Sequence, residues 1–167
     1  PSPIVYPVYF GFHWPNDTFI SFQPSFKIFR SYYLVADNMV LPAEIENRTA
    51  DVYSILFNFP VVIRVNFFDK TNIKAFGGIA TLIRIPFLAS GVNESDPGYK
   101  GTAAQDLKYI RKWFAGGMRW LYLSAGVDWM FNFPKQNLQV GPDIMVYFPI
   151  GAVIADWSID ALMISAG

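Results

Sequence analysis

The amino-acid sequence predicts an all-β protein whose strands form an antiparallel up-and-down meander. The first observation is a period of two: apolar and polar residues alternate along most of the chain, as on the two faces of a strand. The second is composition, because 53% of the 167 residues are hydrophobic and 18% are aromatic, and aromatic and β-branched residues favour strands. The third is a set of short polar segments that separate the alternating runs, as hairpin turns do.

Seven alternating runs are predicted to be strands. In chain order they cover residues 4–12, 20–34, 53–67, 73–85, 121–133, 138–148 and 153–163. Short turns fall at 13–17, 69–72 and 134–137, and long connections fall at 36–51 and 88–112. Because successive strands of a meander reverse direction, we expect the short turns at one end of the sheet and the long connections at the other.

One segment of the second long connection has the spacing of a helix. Leu107, Ile110 and Phe114 recur at helical intervals, and Thr102 with Gln105 three residues later matches a capping box. The sequence therefore predicts either a short helix or an extended excursion of the strand here, and its pattern does not favour one over the other.

The two faces of the predicted strands differ in chemistry. One face is large and apolar in every strand, whereas the other mixes Ser, Asn and Gly with isolated charges. Only 16% of the residues are charged, against about 25% in a typical soluble domain, so the polar face is too poor in charge to be a water-facing surface. Lipid against the apolar face and a narrow polar lumen explain this composition. We therefore predict a transmembrane β-barrel of about eight strands.

Prolines and aromatic residues are consistent with this interpretation. The longest uncharged runs contain prolines, and none reaches the roughly 20 apolar residues of a spanning helix. Aromatic residues such as Tyr33, Trp120 and Trp157 lie near the ends of predicted strands, where membrane-interface belts lie. Arg30 and Arg119 fall on the apolar face, so we expect a bulge or an interfacial position for each.

With strands such as 121–133 and 153–163, the chain resembles the small bacterial outer-membrane β-barrels of the OmpX, OmpA and OmpW kind. The resemblance is architectural and covers nearly the whole chain. It implies a monomer in the outer membrane of a Gram-negative bacterium, surrounded by outer-membrane lipid. It also implies a non-enzymatic role, either through long surface loops that bind an extracellular ligand or as a narrow, porin-like and mostly plugged pore.

The ends of the sequence depart from this pattern. Such barrels usually end in an aromatic residue, whereas this sequence ends in Gly167. They also have an even number of strands, whereas seven are recognised here. We therefore expect residues 1–167 to form a single barrel domain that is trimmed at one or both ends, with either a further strand upstream of Pro1 or an N-terminal run that is not a strand.

The polar face carries equal numbers of basic and acidic residues, which we predict to be paired inside the lumen. They are Lys27, Arg64, Lys74, Arg84, Asp128, Asp143, Asp156 and Asp160. An isolated charge in so confined a space would cost several kcal/mol in desolvation, so pairing would plug the lumen. Asp156 and Asp160 fall on one face of the last predicted strand, where paired carboxylates could also act as acid and base or bind a hard cation.

Other kinds of function are less well supported by the sequence. A net charge of zero argues against nucleic-acid binding, and the absence of Cys removes thiol chemistry. No motif indicates a cofactor or a metal site. Two alternatives stay open: a membrane-embedded lipid-modifying enzyme that uses the single histidine, His13, as a general base, and a soluble lipocalin-like lipid-binding barrel with its apolar face inward.

Overall fold

An antiparallel sheet of ten strands is the main element of the fold. The computed structural model describes residues 4–12, 19–68, 71–89, 103–133, 138–157, 159 and 161–167. The strands are β1 (Val8–Gly11), β2 (Ile20–Phe22), β3 (Ser25–Ala36), β4 (Met39–Pro42), β5 (Ala50–Phe68), β6 (Thr71–Leu88), β7 (Leu121–Phe133), β8 (Leu138–Val140), β9 (Asp143–Phe148) and β10 (Met163–Ala166). The helices are α1 (Ala103–Ala115) and α2 (Ile150–Asp156), with a short 3₁₀ turn at Ile45–Asn47.

The strands follow one another in sequence order around the sheet, which confirms the predicted meander. The hydrogen-bonded path runs β1-β3-β5-β6-β7-β9-β10. The strand pairs β2/β3 and β8/β9 each keep a single register with their neighbour. Each pair is one chain crossing, interrupted at Pro24 or Pro142, because proline has no N–H to donate to the ladder. β4 is a separate arm that pairs only with the end of β3.

The sheet is curled into a half-barrel. The row that includes Ser54, Leu56 and Asn58 of β5 is buried on its concave face. Tyr53, Phe59 and their neighbours in the alternate row are exposed on its convex face. We call the end where β5 passes to β6 the turn end, and the opposite end, where α1 lies, the loop end.

The core lies on the concave face in two clusters. The first is midway along the strands and contains Leu56, Ala80, Leu82, Tyr122, Met145 and Tyr147. The second is at the loop end and contains Val40, Ala50, Val52, Ile110 and Phe114. α1 supplies the last two of these residues, so the helix packs against the concave side of β3, β5 and β6.

Of the two structures predicted for the second long connection, the helix is the one observed, with Ile110 and Phe114 buried as their spacing indicates. Thr102, the expected N-cap, lies outside the described residues. In the part of the chain that the structure describes, neither helix is long and apolar enough to cross a membrane.

The predicted strand at 153–163 is wrong. Residues Ile150–Asp156 form α2, which ends at Trp157 in a left-handed conformation (φ 55°), and the strand begins only at Met163. A short apolar run fits both helix and strand. The helix packs closely where it begins, since the backbone of Gly151 lies against the carbonyl of Met118 and leaves no room for a side chain.

Two adjacent glycines of β6 provide a test of packing on the concave face. A Cβ at Gly78 would lie 2.7 Å from the Cα of Pro60, whereas a Cβ at Gly77 would meet nothing within 4 Å. We expect Gly78→Ala to lower the free energy of unfolding by about 1–3 kcal/mol through overpacking. Gly77→Ala, the matched control, should change it by less than about 0.5 kcal/mol. Urea titration of both variants checks this, and equal effects would contradict the assignment of faces.

Candidate functional site

A row of charged residues crosses the sheet at the turn end. Arg64, Lys74, Asp128 and Asp143 are successive cross-strand partners on β5, β6, β7 and β9. Lys74 is only 8% exposed and directly faces Asp128 on the next strand. The row therefore places two basic positions beside two acidic ones, with opposite charges adjacent at its centre.

Lys27 reaches this row from the far side of the concave face. Its Nζ donates a hydrogen bond to Ser165 Oγ of β10 over 2.7 Å. It lies 5.5 Å from the ring centroid of Tyr147 and 5.8 Å from that of Tyr9. The carboxylates of Asp128 and Asp143 are close enough to interact electrostatically with it. β5, β6, β7 and β9 separate β3 from β10 in the sheet, so this contact shows how strongly the sheet curls.

The middle of the concave face holds a buried neutral hydrogen bond. Ser124 Oγ of β7 donates to Asn58 Oδ1 of β5 over 2.7 Å. The two residues lie on either side of β6, where Gly78 is opposite Ser124 and Ala80 is opposite Asn58. Small residues at these positions let the two longer side chains meet across the intervening strand.

Arg84 lies apart from the charged row, near the loop end. Its guanidinium donates to Tyr122 Oη over 2.7 Å and to the carbonyl of Arg119 over 3.3 Å. Its Cζ is 4.8 Å from the ring centroid of Phe114 in α1. Arg84 therefore links β6, the start of β7 and α1, and its observed partners are neutral groups.

The structure brings together part of the predicted lumen cluster. Lys27, Lys74, Asp128 and Asp143 share one region of the concave face, and Arg84 is elsewhere. Arg64 is in register with this region, but its side chain is outside the described part of the structure.

Asp156 belongs to α2, so the basis for pairing it with Asp160 on one strand face is removed. Asp160 and His13 lie outside the described residues, as does the side chain of Asp156. Within the described ranges, no three or more His, Asp or Glu side chains form a group that could hold a metal ion.

Sequence reasoning missed the buried tyrosines as partners of the charges. Tyr122 and Tyr147 are at most 2% exposed on the concave face, next to Arg84 and Lys27. Both occupy positions in the polar rows of their strands, so the period-two pattern contains the signal. Chemically, the concave face can hold cationic side chains through carboxylates, hydroxyl groups and aromatic rings.

Comparison with protein families, with curated proteins and with solved structures finds no match to this chain. Its function has to be argued from its own geometry.

The bond between Arg84 and Tyr122 can be tested by removing one hydroxyl group. Tyr122→Phe leaves the ring in place but removes an acceptor from a part-buried guanidinium. We expect the free energy of unfolding to fall by about 1.5–3 kcal/mol, the range for a hydrogen bond to a charged group. Tyr6→Phe, at a residue 89% exposed, is the control and should have almost no effect. If Tyr122→Phe leaves the free energy of unfolding in urea titration unchanged, the hydrogen bond contributes little to stability.

Proposed function

We propose that this protein is a non-enzymatic β-barrel protein of the outer membrane, with lipid against its convex face and an interior plugged by its own side chains. The observation that carries the proposal is the distribution of residues between the two faces of the sheet. Large apolar side chains cover the convex face and are exposed, while the polar and charged side chains of the strands are buried on the concave face beside the apolar core.

The centre of the convex face illustrates this distribution. Phe59, Ile79 and Leu123 are cross-strand neighbours and are 45%, 53% and 43% exposed. In the same region Asn58 and Ser124 are each 4% exposed. In water this arrangement forgoes roughly 25 cal/mol for each Å² of apolar surface left exposed. Monomers in water rarely show apolar patches beyond a few hundred Å², so lipid is the solvent that fits.

The height of the apolar surface also supports the proposal. On β5 the outward row Tyr53–Ile63 spans about 33 Å at roughly 3.3 Å per residue. At the tilt of about 40° that is usual in barrels, this row covers about 25 Å of membrane thickness, which is the height of the apolar band in outer-membrane proteins.

Aromatic pairs mark both limits of this band. At the loop end, the rings of Tyr53 and Phe87 pack edge to face at 5.7 Å. At the turn end, Trp129 and Phe131 stack at 5.6 Å. Such belts lie at the headgroup level of both leaflets in membrane proteins.

Strand direction favours a barrel of eight strands. β1 and β10 are the two edges of the described sheet, and both run towards the turn end. Antiparallel closure therefore needs one strand between them that runs the opposite way, which gives the even number usual in such barrels.

An interior of this size is filled by side chains. A barrel of about eight strands is just wide enough inside for its own residues. Lys27 spans the concave face at the turn end, and α1 with Arg84 occupies the loop end. We therefore propose that the protein acts mainly through its loop-end segments and carries little current.

Two alternative functions remain, a soluble lipocalin-like barrel and a lipid-modifying enzyme, and the structure bears on each differently. A lipocalin-like barrel needs apolar rows on the concave side and a polar outer side, whereas here the convex rows are apolar and exposed and the polar groups share the concave face with the apolar core, which favours the membrane. A lipid-modifying enzyme would depend on His13, which is outside the described residues, and no arrangement on the described concave face favours it.

The lipid-facing surface is tested by placing a charge in its centre. We expect Ile79→Arg to make folding into phosphatidylcholine vesicles less favourable by about 2–4 kcal/mol, as for a cation near the bilayer midplane. Ile4→Arg is the control, because Ile4 is 83% exposed and lies outside the strands. Urea titration in vesicles gives both values. If Ile79→Arg leaves the free energy of folding unchanged, or makes the protein more soluble without detergent, the proposal is wrong.

The plug is tested by electrical recording. The wild-type protein reconstituted in a planar bilayer should conduct little or nothing, because charged and aromatic side chains cross its interior. Large, steady single-channel currents would mean a water-filled pore and would overturn this part of the proposal.

A further inference from the structure

The apolar convex face is interrupted by charge at one place. Among the described strand side chains on that face, Arg30 of β3 and Asp51 of β5 are charged, and every other one is uncharged. Arg30 lies between Ile28 and Tyr32 in the outward row, with 43% of its side chain exposed. A charged side chain in an apolar row needs a partner. Arg30 has one within the protein, and part of its side chain is still exposed.

Asp51 holds two arginines at once. Its Oδ2 is 2.5 Å from Arg30 Nη2, and its Oδ1 is 2.7 Å from Arg48 Nε. Arg48 also donates to the carbonyl of Ile45. The group therefore carries two positive charges and one negative charge, which leaves one excess positive charge on the outer wall.

Tyrosine rings fix the direction of both guanidinium groups. The Cζ of Arg30 is 5.3 Å from the ring centroid of Tyr32 and 5.6 Å from that of Tyr53. The Cζ of Arg48 is 5.4 Å from the ring centroid of Tyr32. With Asp51 only 9% exposed beneath them, the planar donor groups are preorganised and the exposed part of Arg30 faces outward.

The position of this group coincides with the margin of the apolar band. Arg30 is the cross-strand partner of Tyr53, the residue at which the apolar part of the outward row of β5 begins. If the protein is oriented as proposed above, this is the level at which hydrocarbon gives way to headgroups on the loop-end side.

We propose that Arg30 and Arg48 form a binding site for the phosphate of an anionic lipid headgroup in the leaflet at the loop end. A guanidinium has more N–H donors than one carboxylate oxygen can accept, and its planar fork matches phosphate geometry. The lipid's acyl chains would lie along Ile28 and Tyr53, directly below the headgroup. This inference rests on the proposed membrane insertion and adds which lipid chemistry the outer wall selects.

The test measures which lipids stay with the protein. Protein folded into vesicles of phosphatidylcholine mixed with phosphatidylglycerol is extracted gently, and the retained lipids are counted by native mass spectrometry. The wild type should retain phosphatidylglycerol preferentially. Arg30→Gln, which keeps the Arg48–Asp51 pair, should reduce that preference about fivefold, the effect expected for one basic side chain at an anionic surface.

The matched control is Lys108→Gln, which removes one positive charge from the exposed side of α1. It should leave the preference unchanged. If both variants lose the preference equally, net charge and not this site selects the lipid, and the inference is wrong. Saturable binding of inorganic phosphate by the wild type in detergent, lost in Arg30→Gln, would show a site for free anions and would also overturn it.

A separate measurement keeps this inference distinct from the proposed function. Wild type and Arg30→Gln are folded into vesicles of phosphatidylcholine alone, and protection from protease is measured. Protection of both, without a phosphatidylglycerol preference in the wild type, overturns the lipid site while membrane insertion stands. Failure of both to become protected overturns membrane insertion, and the lipid site with it.

Discussion

The unbroken pairing of β5 with β6 is the constraint on which the rest of the structure depends. The two strands stay in one register from Ala50 opposite Leu88 to Asn66 opposite Asn72. Because side chains alternate with a period of two, a slip of one strand by one residue would turn its inward row, including the polar residues, outward and its outward row inward. With the register fixed, Asn58 can meet Ser124, and the outward row of β5 stays apolar from Tyr53 to Ile63.

Small residues convert this register into curvature. Gly78 and Ala80 let side chains from β5 and β7 touch across β6, and Gly126 leaves room for Met145 on the neighbouring strand. The sheet can then curl until Lys27 of β3 bonds to Ser165 of β10. Lys27, Asn58 and Ser124 thereby find hydrogen-bond partners inside the curl, which removes the cost that each would carry if buried alone.

The sequence pattern predicts the strands and their faces well, because the period of two is a local property of the chain. It predicts the place of α2 badly, since a short apolar run with small residues fits helix and strand alike. The pattern correctly places Lys27, Lys74, Asp128 and Asp143 on one face. It does not show that Arg84, on the same face, lies apart from them. Separating them requires the register of seven chain crossings and the docking of α1, and neither is encoded in any one segment.

Arg30 shows how an exception to a pattern can carry more information than the pattern itself. The apolar row of β3 would be more regular with a hydrophobic residue at this position. Instead the chain places there a cation that is held by Asp51, with Arg48 beside it and Tyr32 and Tyr53 around it. Arg30 is 43% exposed in its pair with Asp51, and a pair with so exposed a partner adds little to stability, so stability alone does not account for the second arginine on this carboxylate. At the border between the apolar band and the loop end, the excess positive charge can attract the phosphate of a lipid headgroup.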